Sequence, residues 1–398
     1  MIQIGIIGCG RILAAHLRGY RLLREAGVDN FRITALCARD PRDAHSYLSP
    51  SDEFPQRKPV STLPGDPLAV AAEYLSVFQP DTDVKVIDHY NDLIDHPSVD
   101  AVNDFSTHQL HHPIALRCAL KGKHLLTQKP LAVQVSQAQE MVRVFQAASL
   151  VLGVCENWRF RPLTRHAKWA IDDGAIGKLQ QLHFMNVGNW WAPRQVVAHT
   201  PWRHQQAQGG GISLDIGPHL FHWVRHLGGP VTNVTGKAIC LEPKRRLPLL
   251  TTEPESEAMI DCDADDTFTA SFQTEQDVIG SLSASWAGAG AGIAIPPQVI
   301  GSSGSICGDQ FTNAQGATQP LDDLYRTSCP RERKEREFPL GLEDGFALLQ
   351  LDWLKALQEG AQPEVNGMEG LLDLACASAV LESNRQGKTV SIDELLNH

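Results

Sequence analysis

The chain opens Met1-Ile2-Gln3-Ile4-Gly5-Ile6-Ile7-Gly8-Cys9-Gly10-Arg11-Ile12-Leu13. Isoleucine alternates with Gln and Gly over 2–7, the pattern of a short buried strand. The run meets Gly8 and Gly10, then a segment from Arg11 to Ala26 with Ile12, Ala15 and Leu22 at helical spacing and Gly27 as its stop. Phe31 to Ala38 reads as a second strand. Strand, tight glycine turn, helix and strand form the βαβ context in which a glycine loop can hold a pyrophosphate. The glycines allow close backbone approach, and the helix N-terminus supplies free N–H groups and a positive dipole end. Leu13 stands at the third fingerprint position, where Gly or Ala is usual, and predicts wider helix–strand packing.

At 398 residues the sequence calls for two domains. Hydrophobic residues make up 42% and charged residues 20%, an ordinary globular composition. The net charge of −11 argues against a broad nucleic-acid or anionic-membrane surface. The apolar N-terminus has no basic leader region, and no apolar run reaches the ~18 residues of a membrane span. The nine cysteines form no C-x-x-C pair, and an odd number cannot all pair within one chain. Reduced thiols and a cytoplasmic setting are the simplest expectation. Cys9 reads as a small filler, since no basic activator stands beside it.

Further along, residues 41–83 are rich in Pro, Ser and Asp and read as an inserted surface excursion, helical near Leu68–Phe78. Val84–Ile87, Ala101–Phe105, His124–Thr127 and Leu150–Cys155 resume the strands. His112–Lys121 and a segment opened by the capping box at Ser136 supply helices. A dinucleotide-binding domain over 1–157 and a second domain over 158–398 follow. In the second, Trp169–Gly174, Pro218–Gly228, Ala347–Glu359 and Gly370–Gln386 read as helices. Thr267–Phe272 and Val278–Trp286 read as antiparallel strands. The segments 243–265 and 316–338 read as long polar loops. The expected fold is α/β: a Rossmann domain, then an α+β domain with a large, mostly antiparallel open sheet.

The end of the second strand reads Ala38-Arg39-Asp40. An acidic side chain there would accept from the adenosine ribose 2′-hydroxyl, whereas an Arg can pair with a 2′-phosphate. Ala38 followed by Arg39 favours NADP over NAD. Asp40 keeps NAD open if the strand runs two residues further.

Five later motifs carry a family resemblance. They are Ser106-Thr-His-Gln-Leu-His111, Gln128-Lys129-Pro130, Asn157-Trp-Arg-Phe160 with Pro162, Gly209-Gly-Gly-Ile-Ser-Leu-Asp215-Ile-Gly-Pro-His219, and Pro363-Glu-Val-Asn-Gly367 through Ser383 and Gly387. In this order they resemble the glucose–fructose oxidoreductase / inositol dehydrogenase / MocA family, over nearly the whole chain apart from 41–83. The resemblance implies an NAD(P)-dependent oxidoreductase moving a hydride between nicotinamide and a sugar, polyol or related hydroxy compound. It implies cofactor contacts at Gly8, Gly10, Arg11, Ile12, Ala38, Arg39, Ser106, His108, His111, Gln128 and Lys129. Substrate contacts are expected at Asn157, Arg159, Trp202, Arg203 and His222, and a homodimer or homotetramer joined through its sheets. Two positions depart from the pattern. Gln128 replaces the usual Glu of the Glu-Lys-Pro motif, and His222 stands where an acidic residue is frequent.

Hydride transfer from an alcohol carbon needs a base for the hydroxyl proton and a group that stabilises the developing alkoxide. Asp215 and His219 are four apart and predict one face of a beginning helix, with His222 and His226 continuing it and Leu220, Trp223, Val224 and Leu227 opposite. His219 is the expected base, Asp215 its orienting partner and Lys129 the donor to the same oxygen. His108, His111 and His112, or His219 with His222, could suggest zinc. The absence of a Cys pair or an H-E-x-x-H pattern leaves no metal expected. Two other functions share these residues: a NAD-assisted glycosidase that oxidises its sugar transiently, and a non-catalytic dinucleotide sensor. Net cofactor turnover separates the first, and intact Lys129, Asp215 and His219 argue against the second.

Overall fold

A computed structural model describes residues 1–59, 61, 66–188, 194–248, 257–288 and 293–397. Positions 60 and 62–65 of the 41–83 excursion and 249–256 of the 243–265 segment lie outside the described residues. The chain divides into two compact units. The first comprises Met1–Ala132, Ser136–Arg161 and Lys334–Leu371; the second comprises Val133–Val135, Pro162–Arg333 and Leu372–His398.

In the first unit the chain runs β1 (Ile2–Ile7), α1 (Leu13–Glu25), β2 (Phe31–Cys37), α2 (Pro41–His45), α3 (Leu75–Phe78), β3 (Lys85–Ile87), α4 (Tyr90–Asp95) and β4 (Ala101–Asp104). It continues through α5 (His108–Leu120), β5 (His124–Gln128), α6 (Val135–Ala147) and β6 (Leu152–Cys155). The six strands lie in the order β3-β2-β1-β4-β5-β6, and every pair is parallel. That is the doubly wound Rossmann order, whose ligands bind beyond the carboxyl ends of the strands, where the order reverses between β1 and β4. Strand interiors such as Ile4, Ile6, Ile33, Val102 and Leu125 are wholly buried, as a sheet covered on both faces requires.

The second unit carries α7 (Pro162–Asp172), β7 (Leu179–Val187), α8 (Ile212–Asp215), α9 (Gly217–Gly228), β8 (Val231–Ile239), β9 (Lys244–Pro248), β10 (Glu257–Asp261), β11 (Thr267–Thr274) and β12 (Ile279–Ser285). Next come β13 (Ile293–Gly301), β14 (Gly304–Cys307), β15 (Gln310–Asn313), β16 (Thr318–Pro320), α10 (Leu321–Ser328) and α11 (Arg331–Glu337). The chain closes with α12 (Gly345–Glu359), which belongs to the first unit, then α13 (Gly367–Gln386), β17 (Val390–Ser391) and α14 (Ile392–Leu396). The large sheet has nine strands in the order β16-β15-β14-β13-β7-β12-β11-β8-β17. Its pairs are antiparallel except β12 with β7. The expected α/β plus α+β class is the observed one.

Alternation decides which face of that sheet is buried. Val278, Leu282, Ala284 and Trp286 point inward, with Phe268, Ala270 and Phe272 from β11 and Val234 from β8. Gly236 lets α13 settle there: a side chain at that position would come within 2.8 Å of Val380 Cγ1. The other face exposes small polar residues, Thr235, Thr269, Ser271 and Ser281, with Ile239 and Ile279 more than half exposed.

Three readings are corrected. The 243–265 segment is not one long loop, because β9 and β10 pair antiparallel from Lys244–Asp261 to Pro248–Glu257. Their anchor is Arg245, fully buried, whose Nη2 donates to Asp266 at 3.0 Å. The 316–338 segment forms β16, α10 and α11. Leu321 and Tyr325 of α10 are buried, and Tyr325 stacks on His166 at 3.9 Å. Asp215 and His219 do not share one regular helix, for α8 ends at Asp215 and α9 begins at Gly217. None of the nine cysteines is paired.

Candidate functional site: a dinucleotide cradle and a polar helix start

Gly8 and Gly10 do different work. Gly8 has φ +95°, and a side chain there would meet the Phe105 carbonyl oxygen at 2.5 Å. The turn after β1 is therefore pressed on the loop after β4, a contact only glycine permits. A side chain on Gly10 would meet nothing within 4 Å, so this backbone faces open space. The Tyr47 hydroxyl donates to the Gly10 carbonyl at 2.8 Å, and Arg11 Nη1 donates to the Lys58 carbonyl at 2.6 Å. The excursion thus braces the glycine loop, which its composition did not reveal. Arg21 strengthens the brace with a two-pronged pair to Glu73 at 2.9 and 3.0 Å. Ile12 caps α1, whose first turn holds no acidic residue, so its positive end is uncompensated. Leu13, the departure from the fingerprint, is wholly buried. Cys9 is buried as well, and burial pushes its thiol far above the usual range, as its filler reading requires.

The neighbouring strand ends complete the cradle. Ser106 donates its N–H to Asp104 Oδ1 at 3.0 Å, while its Oγ is buried with no hydrogen-bond partner. An orphaned hydroxyl on the loop that presses against Gly8 fits a polar ligand. His108 is nearly buried, its ring 5.9 Å from that of His111. His111, expected at the cofactor, is wholly buried, with Nδ1 2.8 Å from the Pro130 carbonyl and Nε2 3.4 Å from the Ser106 carbonyl. It fastens the loop after β4 to the turn after β5, and it offers no free face to a ligand. That turn holds Gln128 and Lys129, both half-buried, and the Lys129–Pro130 peptide is cis. Gln128 Nε2 lies 2.7 Å from His16 Nε2. His16, which the sequence reading missed, is fully buried on α1, and burial pushes it down to about 3.

At the end of β2, Ala38 is buried and Arg39 exposed. Asp40 is committed elsewhere: it caps α2 through the Arg42 N–H at 3.1 Å and pairs with the Arg42 guanidinium at 2.6 Å. Asn157 and Arg159 lie on the 3-10 turn Asn157–Phe160 after β6, where Glu156 accepts from the Trp158 N–H at 3.0 Å. Arg159 Nε reaches Glu364 at 3.3 Å.

In the second unit, Gly210 and Gly211 press two segments together. A side chain on Gly210 would lie 2.6 Å from the Trp202 and Arg203 carbonyls, and one on Gly211 would lie 2.3 Å from Asp265 Oδ1. Asp265 then accepts from Ser213 N at 2.9 Å and Ser213 Oγ at 2.7 Å, which starts α8. Arg203 Nε donates to Asp215 Oδ2 at 2.9 Å, Arg203 Nη1 donates to Thr200 Oγ1 at 2.6 Å, and the guanidinium lies 4.4 Å over the Trp202 ring. Trp202, Arg203 and Asp215 are thus one cluster. His219 is half-buried on the first turn of α9. His222 is corrected. Expected in the polar stripe and at the substrate, it is 1% exposed with Nδ1 2.7 Å from Asp373 Oδ2, Arg225 pairs with the other carboxylate oxygen, and His222 Nε2 is buried without a hydrogen-bond partner. His204 is buried and held down to about 3, first by burial and then by the Arg245 and Arg203 cations; its Nε2 accepts from the Val197 N–H at 3.0 Å.

Two family profiles match this chain. Residues 2–155 match the oxidoreductase family with an NAD-binding Rossmann fold, and residues 164–307 match the C-terminal domain of the same GFO/IDH/MocA family. The chain belongs to that family. It is 26% identical over 371 residues to a levoglucosan dehydrogenase of Pseudarthrobacter phenanthrenivorans, covering 88% of this chain and 93% of the relative. It is 25% identical over 317 residues to a D-xylose dehydrogenase of Paenarthrobacter nicotinovorans, covering 76% and 80%. A solved levoglucosan dehydrogenase in complex with NADH and L-sorbose shares the fold at TM-score 0.75 and 19% identity, over 99% of this chain and 100% of that one. This is an oxidoreductase with an NAD-binding Rossmann domain, and no helix among its described residues is long and apolar enough to cross a membrane.

His16 gives a pH prediction. Its folded value of about 3 lies below the ordinary 6.5, so between them the unfolded chain binds the extra proton and stability falls as pH falls. At pH 5 the loss from His16 is about 2 kcal/mol. Thermal melts from pH 7 to 5 should decline less steeply in His16→Gln than in the unmodified protein; equal slopes would remove His16 as a source.

Proposed function

We propose that this protein is an NADP-preferring dehydrogenase or reductase acting on the CH–OH group of a sugar or polyol, with His219 as its general base. The observation that carries the reading is the cradle: open backbone at Gly10, an orphaned Ser106 hydroxyl and a half-buried Lys129 at adjacent strand ends. Relatives named for D-xylose, levoglucosan and myo-inositol support the substrate class. The glycosidase and sensor readings are not favoured by them. A cytoplasmic location remains our reading of the unpaired cysteines.

When bound, the dinucleotide supplies the hydride chemistry. Gly8, Gly10, Arg11, Ile12 and Ser106 would hold its phosphates and ribose. His219 takes the proton of the substrate hydroxyl, Lys129 donates a hydrogen bond to the same oxygen, and Asn157, Arg159, Trp202 and Arg203 orient the remaining hydroxyls. Asp215 acts through Arg203 as well as toward His219, because its carboxylate already accepts from the guanidinium. Replacing His219 with Ala should lower turnover roughly 10²–10⁴-fold while leaving dinucleotide affinity nearly unchanged. Unchanged turnover would exclude it as the base.

NADP preference rests on what stands at the end of β2. Arg39 is exposed, Ala38 carries no carboxylate, and Asp40 is occupied by Arg42 and by its cap. A 2′-phosphate would meet a cation and no competing acid. Arg39→Ala should weaken NADPH about 10–100-fold in fluorescence titrations, the range of a lost charge-assisted bond, and leave NADH nearly unaffected. Equal NADH and NADPH affinity in the unmodified protein would defeat the assignment.

Assembly is the third part of the proposal. The outer face of the nine-stranded sheet is flat and small-sided, with Ile239 and Ile279 exposed by 54% and 52%. Such a face suits a second copy of the chain in a homodimer or homotetramer. Light scattering at micromolar concentration should report an oligomer that charge at Ile279 (Ile279→Lys) dissociates; a monomeric unmodified protein would count against it.

A further inference from the structure

His16 binds a side-chain amide at each ring nitrogen. Gln128 Nε2 lies 2.7 Å from His16 Nε2 and Gln350 Nε2 lies 2.9 Å from His16 Nδ1. The ring is fully buried, stacked 3.9 Å from Phe105 and met edge-on by Phe346 at 4.9 Å. Burial without a carboxylate partner keeps it neutral. A neutral imidazole has one N–H and one lone pair, so it donates to one amide and accepts from the other. The chain beyond Gln350 indicates which. Gln350 Oε1 accepts from Asn103 Nδ2 at 3.5 Å, and the same Asn103 amide donates to the Tyr20 hydroxyl at 2.7 Å. With its oxygen turned to Asn103, Gln350 gives its N–H to His16 Nδ1. The proton of His16 is then on Nε2, and Gln128, whose Nε2 faces that ring atom, turns its amide end for end so that its oxygen accepts it.

We propose that His16 is a positioning residue for Gln128: its Nε2–H holds the Gln128 amide oxygen and leaves the Gln128 NH2 to donate to a bound ligand oxygen. Among the described residues, His16 is the one hydrogen-bond partner of the Gln128 amide. Hydrogen bonds aligned in one direction along Asn103, Gln350, His16 and Gln128 reinforce each other in a dry core. A Glu at position 128 would present an acceptor to the ligand. Gln128 presents a donor, next to the Lys129 cation. The two together suit an oxygen that accepts, such as a ribose or substrate oxygen, and disfavour a group that must donate. α12 thereby acts on the cofactor edge through His16, 334 positions from Gln350 in sequence: Gln350 fixes the tautomer, and the tautomer fixes the amide. The ligand part of this inference rests on the proposed function, which puts the turn after β5 beside the nicotinamide.

The first test is the His16 tautomer itself, read by 15N NMR of histidine-labelled protein and assigned by its loss in His16→Gln. A pyrrole-type Nε2 and a pyridine-type Nδ1 are expected; the reverse overturns the proposal, with or without activity. The second test is rescue. Gln at position 16 can accept from Gln350 and donate to Gln128, so His16→Gln should keep kcat/KM and dinucleotide Kd near the unmodified values. His16→Leu should lose about tenfold in kcat/KM, the order of one hydrogen bond. Gln128→Leu should lose as much, and the double variant no more than either. Additive losses, or a Gln variant as poor as Leu, overturn it. Should the Leu variant fail to fold, the tautomer and the Gln variant still decide. A protein with the expected tautomer and dinucleotide affinity that oxidises no sugar or polyol would tell against the functional reading and leave the hydrogen-bond direction standing.

Discussion

The Phe105 carbonyl oxygen sits where any side chain on Gly8 would have to be. That contact joins the turn after β1 to the loop after β4, the two strands between which the sheet reverses its order. Gly10 becomes open backbone because Gly8 has already made the turn. Ser106, whose N lies 2.8 Å from where a Gly8 side chain would begin, is held there because Asp104 captures its N–H. His111 and the Pro130 carbonyl then tie in the turn after β5. The cradle is therefore one connected object, and it would come apart if a methyl group were placed at position 8.

The sequence carried this part of the molecule well for a physical reason. Turn glycines, buried parallel strands and helix stops are local, and the whole βαβ signal lies within Ile2–Ala38. The alternation in β11 and β12 was equally legible, since a half-buried strand writes its orientation at period two. The segments 243–265 and 316–338 misled because their polar composition says loop. Their order comes from a few distant anchors instead, Arg245 on Asp266 and Tyr325 on His166. A buried Arg looks identical to an exposed one in a sequence.

The candidate site was legible in its residue types and less so in its partnerships. His222 is expected from the sequence at the substrate and His111 at the cofactor, and both are bound within the protein, to Asp373 and to Pro130. Helical spacing could place His222 on a face but could not show that a carboxylate 151 positions later would close that face. His16 was passed over for the opposite reason. It sits among apolar residues of α1, and its partners are amides on β5 and α12 that no spacing connects to it.

Those amides bear on how one residue change should be read. Replacing a carboxylate by an amide at position 128 is a change of charge if the side chain stands alone. Beside a neutral His16 whose proton points at it, the change is one of direction: both Glu and Gln can accept from Nε2–H, and they differ only in what they offer on the other side. A bare Nε2 would make the two incompatible, since a carboxylate would face a lone pair. The tautomer of a buried histidine, set by Gln350 and Asn103, thus determines whether position 128 can exchange acid for amide without disturbing the core, and which kind of oxygen it then favours.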